Sequence, residues 1–363
     1  MSKQTTDLAT APIKKERESS IELLRIFSIV MIILHHSVVH GGLYGSQNNI
    51  LTKFLAHFYY MGNMGINLFV LITGYVLLQM TPSLKRLFKG IITPVWFYSW
   101  LFLLIAFITG VDMSKSDVLI ALFPILSGAY WFATVYAWTY LLFPMLAEGL
   151  KKCSNWLILI FVLASAYFDL LGKKLPIESW LKDVTTGGTG LLFFLLLIFI
   201  GVYFAKTKIH QTKWGRIISV ASLVGCIIYM CYADNNNIPI VNSPELFFQV
   251  LFTTSIFAVF SGFSFRSKWI NRLANYSFAV YLIHDNFFVR NEWIWGKFAI
   301  TKIFPHFCGT AFWYINVLIY ACLIYLVCAG IEWLRRYIFD FVGKAFIFPK
   351  QKNQLHKNGA HHA

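Results

Sequence analysis

Residues 21–39 read IELLRIFSIVMIILHHSVV, an apolar run long enough to cross a bilayer that nevertheless carries ionisable side chains. Ionisable residues at membrane depth are costly and usually mark function. At about 100° per residue, Arg25 and His36 fall only about 20° apart around a helix, with Glu22 and His40 on the same side. The segment therefore predicts a membrane helix with one polar face. His36 is a candidate general base, because an imidazole titrates near neutral pH, and Arg25 and Glu22 are candidates to orient it. A buried polar network between helices would explain the same face equally well.

The composition is that of a polytopic membrane protein. Of the 363 residues, 58% are hydrophobic and only 13% are charged, whereas soluble domains average about 25% charged residues. A formal net charge of +15 would suggest nucleic acid as the partner of a soluble protein, but basic cytoplasmic loops explain it here. We therefore expect an all-α bundle in contact with membrane lipids and no nucleic-acid partner. The six cysteines lie mostly in apolar runs without metal-ligand spacing, so no metal site is predicted.

About ten apolar runs are long enough to span the bilayer. They are residues 21–39, 57–79, 91–110, 129–147, 155–171, 188–205, 217–233, 244–264, 273–290 and 309–331. Lys and Arg concentrate in alternate loops, and the positive-inside rule then places both termini in the cytoplasm.

This arrangement predicts three parts of the chain. Residues 1–18 would form a disordered basic cytoplasmic tail, residues 19–335 the transmembrane domain, and residues 336–363 a basic cytoplasmic C-terminal tail.

The second span contains GINLFVLITGY at residues 65–75. Gly65 and Gly74 would permit close approach of neighbouring helices, and helix packing is the simpler interpretation of the segment. Asn67 is a polar side chain at mid-membrane that needs a partner, which makes it a candidate for substrate binding.

Two further segments have both an anchoring and a functional interpretation. Lys85, Arg86 and Lys89 form a basic cluster before Pro94. They suit a cytoplasmic anchor, which is enough to explain most such clusters, and the alternative is a binding site for the phosphates of an anionic donor. Trp131 opens the fourth span, where an interfacial aromatic anchor or a wall beside the acceptor would fit.

His284 lies in NYSFAVYLIHDNF, residues 275–287. A lone histidine in such a segment is more often a structural hydrogen-bonding group. His284 and His36, however, stand at similar distances from the outer ends of their spans. We therefore expect the two imidazoles at similar depth in the outer half of the bilayer.

Together, these five segments resemble the acyltransferase-3 family of bacterial integral-membrane acyltransferases. That family opens with an acidic residue, Arg three residues later and His eleven residues after the Arg. These positions match Glu22, Arg25 and His36, and the register selects His36 over His35.

The other family motifs follow in order at compatible spacing. They resemble residues 65–75, the basic cluster before Pro94, Trp131-Phe132 with residues 140–144, and residues 281–284. Glu22 stands where the family usually has Asp, Lys89 where a second Arg is common, and Asn67 where Asp is common. Asn67 therefore offers no catalytic carboxylate at its position.

The resemblance implies an O-acyltransferase in the bacterial cytoplasmic membrane. Its donor would be acetyl-CoA, held by Lys85, Arg86 and Lys89. Its acceptor would be a cell-surface glycan, a lipid-linked sugar or another envelope molecule, bound beside His284, Trp131 and Asn67. His36, with Arg25 and Glu22, would carry the chemistry. We expect a stand-alone form without an appended extracytoplasmic domain.

Two other classes of protein fit the composition. A transporter or permease also buries ions among many spans, although the sequence shows no clear internal repeat. The second class, an envelope scaffold, would not explain why Glu22, Arg25 and His36 form a polar face on the first span. Within the enzyme class, succinyl transfer and N-acylation are open variants.

Overall fold

The computed structural model describes residues 17–41, 50–80, 83–172, 191–235, 245–303 and 310–347. Within these ranges the chain forms helices joined by loops and turns, with no strand. The predicted all-α class is therefore confirmed for the part of the chain that the structure describes. Most of the predicted N-terminal tail, and the C-terminal residues after 347, lie outside it.

Fifteen α-helices occur in the described ranges. In chain order they are α1 (Ser19–Val39), α2 (Ile50–Tyr60), α3 (Met64–Leu77), α4 (Leu84–Leu87), α5 (Thr93–Ile108), α6 (Lys115–Leu122), α7 (Trp131–Lys152), α8 (Asn155–Gly172), α9 (Leu191–Thr207), α10 (Lys213–Asn235), α11 (Glu245–Ser261), α12 (Lys268–Ala274), α13 (Ser277–His284), α14 (Ile300–Ile303) and α15 (Ala311–Ile347). Two π-helical stretches, Phe88–Ile92 and Val289–Lys297, and two 3₁₀ turns, Met61–Asn63 and Ile209–Gln211, join some of them.

Four helices in the described ranges are long and apolar enough to cross a membrane. They are Ser19–Val39, Leu84–Ile108, Lys213–Ala233 and Ala311–Phe341. The pair Leu51–Tyr60 and Met64–Leu77, bent by 48°, would be a fifth span if it crosses as one unit. Shorter apolar helices, Asn155–Ser165, Phe193–Thr207 and Phe248–Ser261, fall on three more predicted spans. The chain is therefore a membrane protein. The number of about ten spans stays a prediction.

The last helix runs past the predicted end of the transmembrane domain. α15 continues from residue 335 to Ile347, so residues 336–347 extend a helix where the sequence suggested a tail. One reason is local: Arg336 pairs with Glu332 one turn earlier, at 2.6 Å, which supports helix continuation.

Glycines let the central helices touch backbone to backbone. A Cβ on Gly65 would lie 2.0 Å from the Ser28 carbonyl oxygen, and one on Gly74 would lie 2.3 Å from that of Ile198. Because only glycine fits there, α3 packs directly on α1 and on α9. The predicted packing role of Gly65 and Gly74 is confirmed. Gly62 faces Met31 while Gly65 faces Ser28, so α1 and α3 run antiparallel.

Three segments predicted to be cytoplasmic meet at one end of the bundle. Arg17 Nη1 donates to Asn275 Oδ1 at 2.5 Å, and Arg336 Nη2 donates to the Asn275 carbonyl at 3.0 Å. The Ser267 amide donates to Ser19 Oγ at 2.7 Å, which ties the start of α1 to the same place. We name this end the inner end and the opposite one the outer end. The assignment of these ends to the two sides of the membrane is a prediction.

Candidate active site

Glu22 and Arg25 form a buried ion pair near the inner end. Arg25 Nη1 donates to Glu22 Oε1 at 2.8 Å, and Arg17 Nη1 lies 3.8 Å from the same oxygen. Glu22 is 4% exposed, whereas 23% of the Arg25 side chain remains accessible. A buried carboxylate needs such counter-charges, because an unpaired one would be strongly destabilising. The sequence predicts that Glu22 and Arg25 orient His36, but the two side chains pair with each other instead.

His36 and His284 meet toward the outer end, where α1 packs on α13. His36 Nδ1 lies 3.2 Å from His284 Nε2. His284 is fully buried, while 14% of the His36 side chain is exposed. The expectation that the two imidazoles share one depth is confirmed.

The hydrogen bonds of His284 determine which nitrogen of His36 is free. His284 Nδ1 lies 2.7 Å from the Val280 carbonyl oxygen, and a carbonyl only accepts, so this Nδ1 carries the proton. In a neutral His284, Nε2 is then an acceptor, and His36 must donate to it from Nδ1. This assignment leaves Nε2 of neutral His36 with a lone pair that can accept a proton.

Asp285, for which the sequence indicates no role, completes this group. Its Oδ1 lies 3.7 Å from His36 Nδ1 and 3.1 Å from Arg290 Nη1. The carboxylate is 6% exposed. A carboxylate at this distance stabilises the imidazolium that forms when His36 accepts a proton. The available signal was its position directly after His284, but a residue at a predicted span end is usually solvated.

The neighbouring histidines have different surroundings. His35 Nδ1 forms a short hydrogen bond with the Tyr60 carbonyl, which joins α1 to α2. The His40 ring centre lies 5.4 Å from that of His36, but His40 is exposed at the end of α1. These contacts agree with the choice of His36 over His35.

Trp131, predicted to line the acceptor side, packs against other aromatic rings. Trp131 contacts the rings of Phe132 and Phe194. The aromatic rings that reach α13 are those of Tyr130 and Phe132, whose centres lie 6.3 Å and 5.3 Å from that of Tyr281. The aromatic wall beside His284 is therefore one residue to either side of Trp131.

Asn67 is buried on α3. Gly65 faces Ser28 across the antiparallel α1–α3 contact. At about 1.5 Å per residue, this register puts Asn67 between the levels of Ser28 and Arg25.

The basic cluster directly precedes α5, whose Tyr98 and Phe97 contact Glu332 and Phe339 near the inner end. Lys85, Arg86 and Lys89 are exposed on α4 and the π-helical turn that follows it. Ser83 Oγ accepts a hydrogen bond from the Arg86 amide at 3.3 Å and caps this short helix. Exposed cations at a helix start suit either an anchor or a phosphate site.

The polar face of α1 thus splits into two groups. Arg25 and His36 are eleven residues apart, which is about 16 Å along a helix axis. An arginine side chain cannot reach across that length to a group held at His36. Among the described residues, no cluster of three or more His, Cys, Asp or Glu could hold a metal ion.

Comparison with known proteins identifies the family of this chain. The acyltransferase-3 family model, an acyltransferase domain, matches residues 18–291. No curated protein and no solved structure matches the chain. The matched range contains both polar groups, including Glu22, Arg25, His36 and His284. Because the match covers well over half of the chain, this protein belongs to the acyltransferase-3 family of membrane acyltransferases.

Proposed function

We propose that this protein transfers an acyl group, in the first instance acetyl, from cytoplasmic acyl-CoA to an envelope acceptor. The acceptor would be a hydroxyl of a cell-surface glycan or of a lipid-linked sugar, and the enzyme would act in the bacterial cytoplasmic membrane. The observation that carries the proposal is the His36–His284 pair, which leaves one basic nitrogen available inside a membrane acyltransferase.

His36 acts as the general base. Its Nε2 takes the proton of the acceptor hydroxyl while the hydroxyl oxygen attacks the thioester carbonyl. The tetrahedral intermediate then breaks its carbon–sulfur bond and releases the CoA thiolate, which takes the proton back from His36. The products are the acylated acceptor and CoA thiol. His284 holds the His36 ring in place, and Asp285 stabilises its charged form.

The inner end supplies the donor side. The phosphates of CoA are anionic, and Lys85, Arg86 and Lys89 offer exposed cations there. Arg25 retains accessible surface beside Glu22, about 16 Å from His36 along α1. That separation suits a contact with the long pantetheine arm better than a contact with the reacting carbonyl. Arg25 and Glu22 therefore orient the donor in this proposal.

The test uses purified protein in nanodiscs with radiolabelled acetyl-CoA and, in parallel, succinyl-CoA. We expect saturable binding of CoA and slow hydrolysis of acetyl-CoA when no acceptor is present. Faster turnover of succinyl-CoA than of acetyl-CoA would mean that the transferred group is succinyl rather than acetyl. An absence of CoA binding by folded protein would overturn the proposal, and uptake assays would then test transport.

A further inference from the structure

His210 is a buried titratable residue that the proposed reaction does not use. It lies in the 3₁₀ turn between α9 and α10 and is fully buried. Within the described ranges, neither of its ring nitrogens has a hydrogen-bond partner. Its ring packs against those of Tyr75, Phe204 and Phe257, whose centres lie 5.7, 5.3 and 6.2 Å away. A buried polar group without a partner is destabilising, so a ligand that supplies the partner is favoured here.

Two exposed cations, Lys208 and Arg216, lie near this histidine. Lys208 Nζ donates to the Tyr75 hydroxyl at 3.0 Å and lies 4.6 Å from the centre of the Tyr75 ring. Because Tyr75 also contacts His210, a single ring joins the ammonium to the imidazole. Burial, followed by the positive charges of Lys208 and Arg216, lowers the pKa of His210 to about 4. The imidazole is therefore neutral at pH 7 and has one N–H to donate.

The cluster of Lys208, His210 and Arg216 lies at the inner end of the bundle. Gly65 faces Ser28 across the antiparallel contact of α3 with α1. Tyr75 is ten residues further along α3, about 15 Å toward the inner end. This register brings the Tyr75 ring, and Lys208 upon it, to the level at which α1 begins.

The helix that follows the cluster has a largely exposed apolar surface. Among the four candidate spans in the described ranges, α10 is the least buried, with 17% of its apolar stretch inside the protein. Its first two turns expose Trp214, Ile217 and Ile218. No Asp or Glu occurs in residues 191–233. Cations at the end of a lipid-facing helix match the two parts of an anionic phospholipid, its charged phosphate and its hydrocarbon chains.

A phosphate of CoA is the other anion that could reach the inner end. A soluble anion would use the two cations, but it would leave the exposed apolar side chains of α10 without a role. The apolar face beside the cluster therefore favours the lipid.

We propose that Lys208, His210 and Arg216 bind the phosphate of one anionic phospholipid. Lys208 exchanges the Tyr75 hydroxyl for a phosphate oxygen, and His210 donates its N–H to a second oxygen. Arg216 neutralises the remaining charge, and the hydrocarbon chains lie along α10. The site is separate from Lys85, Arg86 and Lys89 and does not depend on the proposed acyl transfer.

His210 distinguishes this site from a general basic anchor. An anchor attracts anionic lipids through any exposed cation near the membrane surface. A neutral and buried imidazole contributes nothing to such an attraction. A requirement for His210 in lipid binding therefore indicates a specific site.

The test counts single lipids bound to the purified protein in a non-ionic detergent, by native mass spectrometry. The probes are dioleoyl phosphatidylglycerol and dioleoyl phosphatidylcholine, titrated separately. Lys208→Gln removes a cation of the site, and His210→Phe removes the ring nitrogens but keeps an aromatic ring. The matched control is Lys213→Gln, which removes the same charge from an exposed lysine at the start of α10.

We expect wild type to bind its first phosphatidylglycerol about tenfold more tightly than phosphatidylcholine. Lys208→Gln and His210→Phe should each lose about tenfold in phosphatidylglycerol affinity, whereas Lys213→Gln should retain the wild-type affinity. Without lipid, His210→Phe should unfold at or above the wild-type temperature, because it removes the unpaired nitrogens. Phosphatidylglycerol should raise the unfolding temperature of wild type more than that of His210→Phe.

Three results would overturn this inference. They are equal phosphatidylglycerol affinity in wild type and folded His210→Phe, an equal loss in Lys208→Gln and Lys213→Gln, and displacement of the first phosphatidylglycerol by CoA. The second result would reduce the cluster to a general anchor, and the third would assign it to the donor. The comparison of the two lysine variants decides the question by itself if His210→Phe does not fold. Acetyl-CoA hydrolysis does not enter this test, so the proposed function stands or falls separately.

Discussion

At the inner end of α1, Glu22 is enclosed by two arginines that reach water, whereas at the outer end His36 pairs with an imidazole that is fully buried. The inner contacts are ion pairs at 2.8 and 3.8 Å. The outer contact is a 3.2 Å hydrogen bond between rings, extended to the Val280 carbonyl. Accessible cations favour an anionic ligand, and a buried chain of neutral hydrogen bonds favours a controlled proton transfer. The same helix face therefore serves two different tasks.

The largest effect should come from removing the outer base. In His36→Ala, acetyl-CoA turnover should fall about 10³-fold, because the variant lacks the nitrogen that takes the acceptor proton in the proposed reaction. CoA should still bind, since its phosphates would contact the inner end. Steady-state turnover and CoA binding in nanodiscs measure the two quantities separately.

The adjacent histidine provides the matched control for that variant. His35 bonds the Tyr60 carbonyl, so His35→Ala should retain activity within about tenfold of wild type. An equal loss in His35→Ala and His36→Ala would remove the distinction between the two residues.

Glu332 tests whether a buried charge near the inner end stabilises the fold without contributing to CoA binding. Glu332 is 1% exposed and accepts hydrogen bonds from Tyr98 at 2.5 Å and from Arg335 and Arg336 at 2.6 Å. Glu332→Gln breaks this buried network and should reduce the free energy of unfolding by about 3 kcal/mol. Thermal unfolding of the purified variant measures the change, and CoA affinity of the folded fraction should be unaffected.

An exposed pair supplies the comparison for Glu332. Glu148 and Lys151 form a 2.6 Å ion pair on α7 with both side chains accessible. Glu148→Gln should leave the unfolding temperature unchanged, because water screens the pair. Equal destabilisation by Glu148→Gln and Glu332→Gln would contradict this account.

His284 distinguishes a proton relay from simple packing. Its Asn replacement mimics only Nδ1, whereas its Gln replacement can place an amide oxygen near the position of Nε2 and accept from His36. We expect turnover to fall about 100-fold in His284→Asn and about tenfold in His284→Gln. Measured rate constants at saturating acetyl-CoA provide the test, and equal losses in both variants would indicate packing alone.

The smallest effect should come from Arg25. Arg25→Gln should weaken CoA binding about tenfold, the value of one charge-assisted contact. Isothermal titration with CoA measures it. The double variant Glu22→Gln, Arg25→Gln removes both members of the ion pair and should bind CoA as weakly as the single variant. Restored binding in the double variant would mean that the unpaired Glu22 carboxylate caused the loss.

Several parts of the site could be read from the sequence because they depend on one helix. The angle between Arg25 and His36, and the glycines that admit a neighbouring backbone, follow from helical geometry. The similar depth of His36 and His284 followed from counting residues to the span ends. The contact between them confirms that estimate.

Other parts could not be read because they depend on contacts between helices. Asp285 lies near a predicted span end, where residues are usually solvated, so the sequence indicates no role for it. Its burial results from the packing of α1, α5 and α13 around it. The sequence also does not show which of Tyr130, Trp131 and Phe132 face α13, and the structure places Tyr130 and Phe132 there.

The sequence by itself determined the class of the protein, its family and the polar face of α1, because composition, motif order and helical period are local properties. The tertiary structure decided which groups share a site. It joined His36 on α1 to His284 and Asp285 at the end of α13. Those relations depend on which faces of separate helices pack together, and residue spacing along one chain does not specify that packing.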